Sequence, residues 1–190
     1  MKRFIIAIML FAGLSASAQT GHLTFKGVPI DGTLSEFVGK LKQKGFTHVG
    51  SEQGVALLQG EFAAYKGCTV FVYEHQSGLV NRVGVMFPDR DTWSLLYSDY
   101  SNLKEMLTQK YGKPTEETEE FQTYSAPLDD NSRMFEVRMD RCKYICDFTT
   151  ENGVIELRIS HNSVISCFVV LLYVDAENES KVQSNAIDDL

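Results

Sequence analysis

The stretch Trp93–Pro114, WSLLYSDYSNLKEMLTQKYGKP, decides the fold. Leu96, Tyr100, Leu103, Leu107 and Tyr111 recur at steps of three and four, which puts them on one face of a helix. Asp91 or Thr92 precedes the run, and either side-chain oxygen can accept from an orphan N–H of the first turn. Gly112 suits the left-handed residue after the last turn, and Pro114 forbids continuation. Strand-like sequence flanks this helix on both sides, so its apolar stripe has a sheet to cover and the chain reads as α+β.

Upstream, Val55–Phe62 (VALLQGEF, with Gly60 as a bulge candidate), Cys68–Glu74 (CTVFVYE) and Leu79–Phe87 (LVNRVGVMF) read as strands, the last two joined by a His75–Gly78 hairpin loop. Ahead of them, Thr33-Leu34-Ser35-Glu36 has the form of a capping box, in which the Thr33 hydroxyl and the Glu36 carboxylate each satisfy a backbone N–H. It opens a shorter helix that turns Leu34, Phe37, Val38 and Leu41 inward and ends at Gly45. His22–Ile30 reads as a lead-in strand.

Downstream, Thr115–Phe121 (TEETEEF) reads as a solvated acidic loop or sheet edge, because clustered like charges repel and stay wet. Tyr124–Ser132 reads as loop, Arg133–Asp140 (RMFEVRMD) and Lys143–Thr149 (KYICDFT) as strands, and Glu151-Asn152-Gly153 as an Asn-Gly turn. Val154–Ser160 alternates: Ile155, Leu157 and Ile159 fall on one face, Glu156 and Arg158 on the other, a strand with one wet side. Val164–Val174 (VISCFVVLLYV) is the most apolar strand and is expected at the centre or covered on both faces. Asp175–Leu190 is polar and acidic, and is expected to fray.

The two helices resemble each other. Leu34, Phe37, Leu41 and Lys44 lie 66 residues before Tyr100, Leu103, Leu107 and Lys110. Each helix ends at a glycine and precedes strands with a Gly-containing hairpin, which reads as a duplicated helix-plus-meander unit. Joining two such units predicts one sheet with both helices on one face. That order, with a helix ending Lys110-Tyr111-Gly112-Lys113-Pro114, resembles the β-lactamase-inhibitor-protein-like superfamily. The outer-membrane assembly lipoproteins of the SmpA/OmlA type share the half-unit, and small exported proteins of Gram-negative gut bacteria look similar. The resemblance implies a curved sheet, helices on its convex back and an open face that contacts partner proteins. No functional residue carries over, and the lipidated cysteine of the assembly lipoproteins has no counterpart here.

The chain begins MKRFIIAIMLFAGLSASAQ, with Lys2 and Arg3, an apolar run too short to span a bilayer, and Ala16-Ser17-Ala18 as a small-x-small cleavage site. It reads as a cleaved signal peptide of a periplasmic or secreted protein, not a lipoprotein. The expected organisation is a signal peptide over 1–18, a first helix-plus-sheet half over 19–90, a second over 91–175, and a polar tail over 176–190. Cleavage removes Lys2 and Arg3 and no acid, so the formal charge of −7 becomes more negative by two. That balance excludes nucleic acid and anionic membranes as natural partners, and no later segment has the character of a membrane span.

Four cysteines in an exported chain admit either buried free thiols or one or two disulfides. Cys142 and Cys146 are not expected to bond to each other, since four strand residues span about 13 Å and a disulfide needs Cα atoms within about 7 Å. No His-Glu-x-x-His, paired Cys-x-x-Cys or calcium loop occurs, so no metal or other cofactor is expected. No Gly-x-Ser-x-Gly elbow or phosphate loop occurs either. What remains is surface chemistry. Trp93 reads as core or hinge packing, or as an exposed anchor, since Trp contributes large rigid contact area. Arg82, Glu156 and Arg158 alternate outward on strands and are the candidate binding residues with it. The expected function is a non-enzymatic interaction module whose partner is another envelope or extracellular protein. The alternatives are an exported hydrolase acting on peptide or glycan, or an envelope structural or assembly factor.

Overall fold

A computed structural model describes residues 21–75, 78–162 and 166–188. The expected signal peptide lies outside the described residues, as do Gln76 and Ser77 of the expected hairpin loop and Val164 and Ile165 of the expected central strand. In chain order the elements are β1 (Thr24–Phe25), β2 (Val28–Pro29), α1 (Leu34–Gln43), β3 (Thr47–Glu52), β4 (Val55–Phe62), β5 (Tyr65–Glu74) and β6 (Val80–Met86). Then follow α2 (Trp93–Tyr111), β7 (Glu116–Phe121), α3 (Asp130–Arg138), β8 (Cys142–Thr150), β9 (Gly153–Asn162), β10 (Ser166–Asp175) and α4 (Ala176–Asp188).

β3 to β10 form one antiparallel sheet in the order β3-β4-β5-β6-β10-β9-β8-β7, and β1 pairs only with β2. The α+β reading therefore holds. α1 and α2 each precede one of two meanders, and the last strands of these, β6 and β10, pair at the centre. The apolar sequence of β10 suits that place, since it is covered by strands on both edges.

The long helix forms as its spacing demands. Leu96, Tyr100, Leu103 and Leu107 are buried, Thr92 caps Leu95 N–H, and Gly112 follows at φ 88°. In α1 the capping box is complete, with Thr33 N–H donating to Glu36 Oε2 at 3.1 Å and Glu36 N–H to Thr33 Oγ1 at 3.4 Å. A strand carboxylate adds a further cap: Leu34 N–H donates to Glu74 Oε1 at 2.9 Å, tying α1 to β5. Phe37, Val38 and Leu41 of α1, the buried stripe of α2, and Met134 and Val137 of α3 join one hydrophobic cluster with the sheet. Its sheet side is built by Ala56, Leu58, Val70, Val72, Val83, Val85, Leu157 and Leu171, among others. These three helices therefore share one face.

Several segments depart from the sequence reading. Arg133–Asp140, expected as a strand, lies largely in α3. The preceding Asp129 is a helix cap, with Ser132 N–H donating to Asp129 Oδ1 at 2.8 Å and Asp129 N–H to Ser132 Oγ at 3.2 Å. Met134 and Val137, three apart, are the pair it buries. Between Gly45 and Val55, where no strand was expected, lies edge strand β3, closed onto β4 by Gln53 and Gly54 at φ 49° and 76°, the left-handed pair of a tight hairpin. The lead-in strand is instead the hairpin of β1 and β2, turned at Lys26 and Gly27. The acidic Thr115–Phe121 takes the edge form as β7. The ladder shifts register just after Gly60, where a bulge was expected.

The polar tail does not fray: residues 176–188 form α4. Its anchor is Asp175, fully buried, which accepts from Leu23 N–H at 2.8 Å and Asn178 N–H at 3.1 Å and lies 3.0 Å from His22 Nδ1. Buried Asn178 donates from Nδ2 to the carbonyls of Val80 (2.9 Å) and Ile30 (3.2 Å). The tail looked loose because these two residues are polar; they are held because backbone groups left over elsewhere, together with the His22 and Asp31 side chains, satisfy them.

Candidate binding face

Strand alternation gives the sheet a second face, turned away from α1, α2 and α3. Arg82 neighbours core-facing Val83, and Glu156 and Arg158 alternate with Ile155, Leu157 and Ile159, so all three candidate strand residues lie on this open face. One row of the register crosses it: Leu57, Phe71, Gly84, Leu172, Glu156, Asp147 and Glu116 stand opposite one another in turn. The row is apolar as far as β10 and acidic from β9 onward. Around its apolar part lie Tyr73, Met86, Val170 and Val174, half-buried or exposed rather than sealed.

Gly84 makes a dip in this face. A methyl group added there would meet Leu172 Cδ1 and Tyr73 Cε2 at 3.8 Å and Phe71 Cβ at 3.9 Å, ordinary contact distances, so the missing side chain leaves space. The result is a concavity of about 480 Å³ lined by Phe71, Tyr73, Arg82, Met86, Arg158, Phe168 and Leu172, among others. Arg82 and Arg158 flank its apolar floor, each nearly half exposed.

The charges differ in their setting. Arg82 pairs with Glu179 of α4, which also accepts from Asn81 Nδ2 at 2.9 Å; the Arg82 hydrogen bond pulls the Glu179 carboxyl below its ordinary range. Through this pair α4 borders the open face. Arg158 Nη1 stands 3.3 Å from Glu156 Oε1, close enough for an ion pair but without an aligned hydrogen bond. Burial pushes Glu156 up despite Arg158, and Asp147 opposite adds to the rise; Asp147 is itself raised by burial and then by Glu116. Asp147 Oδ1 and Glu156 Oε1 are both out of solvent with no hydrogen-bond partner among the described residues.

Trp93 lies elsewhere. It sits at the start of α2, 6% exposed, with Phe121 and Tyr144 ring centroids each 5.0 Å away. It is packed rather than presented, although its edge lines a separate shallow hollow with Tyr97, Pro127 and Arg133. The glutamates of β7 divide by alternation. Glu117 and Glu119 hold Lys104 of α2 at 2.7 and 2.6 Å, while Glu116 belongs to the open-face row.

All four cysteines are free thiols. Burial pushes Cys142 up to about 12 and Cys146 up to about 11, and raises Cys68 and Cys167 as well. Cys167 stands opposite His161 in the register, yet a thiol held protonated by burial is a poor nucleophile. Among the described residues no group of three or more His, Cys, Asp or Glu side chains converges as a metal site, and no helix is long and apolar enough to cross a membrane.

Sequence reading missed Gly84, Phe71, Met86, Leu172 and Asp147. A lone glycine inside the strand VNRVGVM was the available signal, since glycine in a strand often marks close approach or a missing side chain. Comparison with protein-family models, with curated proteins and with solved structures finds no match to this chain.

Proposed function

We propose that this protein is an exported, non-enzymatic interaction module that binds another envelope or extracellular protein on the open face of its sheet. The concavity over Gly84 carries the reading. Half-exposed apolar side chains around a dip, rimmed by two arginines, have the make-up of a protein-contact surface: an apolar centre with a charged rim. The mirrored strand order about β6 and β10 supports an origin by duplication, and so does the burial of Phe37 and Leu41 at the positions of Leu103 and Leu107. The resemblance to the β-lactamase-inhibitor-protein-like superfamily supports partner contact through this face.

The test is comparative capture from an envelope extract. Gly84→Leu fills the dip without backbone strain, and should release a partner that Lys104→Ala, altered on the helix side, retains. A partner released by Lys104→Ala but not by Gly84→Leu would place binding on the helix side and defeat the reading. Export has its own check: protein recovered from the envelope or medium should begin at Gln19.

A further inference from the structure

We propose that the occupant of the open face is a basic, apolar protein segment, with an aliphatic or aromatic side chain in the dip over Gly84 and a lysine or arginine on the carboxylates of Asp147 and Glu156. This presupposes that the face binds protein at all, and it names the partner's chemistry.

The register row sets both requirements. Its apolar part accepts an apolar side chain in the space left by Gly84. Two strands further on, at about 4.8 Å per strand, stand Glu156 and then Asp147. Asp147 Oδ1 and Glu156 Oε1 lack hydrogen-bond donors among the described residues, and Glu116 adds a third acid at the end of the row. A partner that covers this region removes the remaining water. Two desolvated carboxylates then need a cation, or the complex bears the cost of leaving them unpaired. Arg158 serves only one of them, and in a misaligned geometry. Arg82, the other arginine beside the dip, is already held by Glu179. An acidic segment would add like charge to an acidic row, and an uncharged one would strand it. In an extended peptide an apolar residue and a cation about two to four residues apart span this distance, given the reach of a lysine or arginine stem.

The test uses the purified full chain, panned against phage-displayed random peptides, with enriched peptides synthesised and titrated. The expected peptides carry a large apolar residue with Lys or Arg about two to four positions away. Their affinity should fall about tenfold or more for Gly84→Leu, and equally for the double variant Asp147→Asn/Glu156→Gln. Added salt should weaken binding to the wild type and not to the double variant. Thermal melts establish that both variants are folded. Enrichment of acidic or uncharged peptides overturns the basic occupant while leaving the face as a binding surface. So does binding lost in Gly84→Leu yet indifferent to the carboxylate variant. Peptides indifferent to both variants overturn the occupant and the face together. Self-association of the protein that Gly84→Leu abolishes would assign the face to a second copy and overturn the proposal as well.

Discussion

The meander of β3 to β6 and the meander of β7 to β10 each follow an amphipathic helix and each bury the same kind of stripe, yet their open sides differ in kind. On the first, Phe71, Tyr73 and Met86 border a missing side chain, against Leu172 of β10; on β8 and β9 of the second, Lys143, Asp147, Glu156 and Arg158 alternate with the core. The outer edges differ too. β3 is broken by a register shift between His48 and Gly50, whereas β7 is defended by glutamates. Both devices discourage pairing with another chain's edge. One scaffold thus supports two surfaces, because the core fixes only alternate residues and leaves the others open to chemistry.

The sharpest way to break the equivalence is through the core. Leu41 and Leu107, matched in the two helices, are both buried in the single hydrophobic cluster. Leu41→Ala and Leu107→Ala should each cost about 2–5 kcal/mol, as buried leucine truncations do. Both should leave one cooperative urea transition, since the cluster runs unbroken across β6 and β10. Two separated transitions in either variant would show halves that fold independently.

Asp175 and Asn178 have no counterpart at the end of β6, so the next effect is confined to the end of β10 and the segments tied to it. Asp175→Ala strands the N–H groups of Leu23 and Asn178 and should cost about 1–3 kcal/mol. Hydrogen exchange should then quicken in β1, β2 and α4 together while β4 and β5 keep their protection. Unchanged protection in α4 would mean that Asp175 does not hold it.

What could be read in advance follows from how local each signal is. The caps of α1 and α2, the inward stripe of each, and the alternation of β9 are set by neighbours three or four residues away or by every second residue, so sequence shows them. The strand reading of Arg133–Asp140 failed because Met134 and Val137 are too few to reveal a period, and the helix is decided by the cap at Asp129. The expectation that the tail frays failed because Asp175 and Asn178 find partners at Leu23, Ile30 and Val80, all far off in sequence. Arg82, Glu156 and Arg158 were found as outward residues, but their company on one face depends on the pairing of β6 with β10. The dip depends on Gly84 lying between Phe71 and Leu172, and no local pattern carries that.

The smallest effect separates the two halves by pH. Glu179, beside Arg82, has a lowered carboxyl, so its contribution is present at neutral pH and is lost as pH falls through that lowered value. Glu156 and Asp147 are raised by burial, so the folded state holds their protons more tightly than the unfolded chain does. Their contribution runs the other way: it is present at low pH and is lost as pH rises from the ordinary carboxylate range through the raised values. Asp147→Asn/Glu156→Gln removes two like charges set directly opposite each other and should stabilise the protein at neutral pH by about 0.2–1 kcal/mol. The gain should shrink as the medium is acidified, and vanish where the wild-type carboxyls are protonated in both states. Glu179→Gln should show the reverse, a loss at neutral pH that fades in acid. Chemical denaturation of the three proteins across that range checks the signs. A neutral-pH loss in the carboxylate double variant would mean that Arg158 compensates the pair fully, and that the acidic end of the row is as satisfied as the Arg82 end.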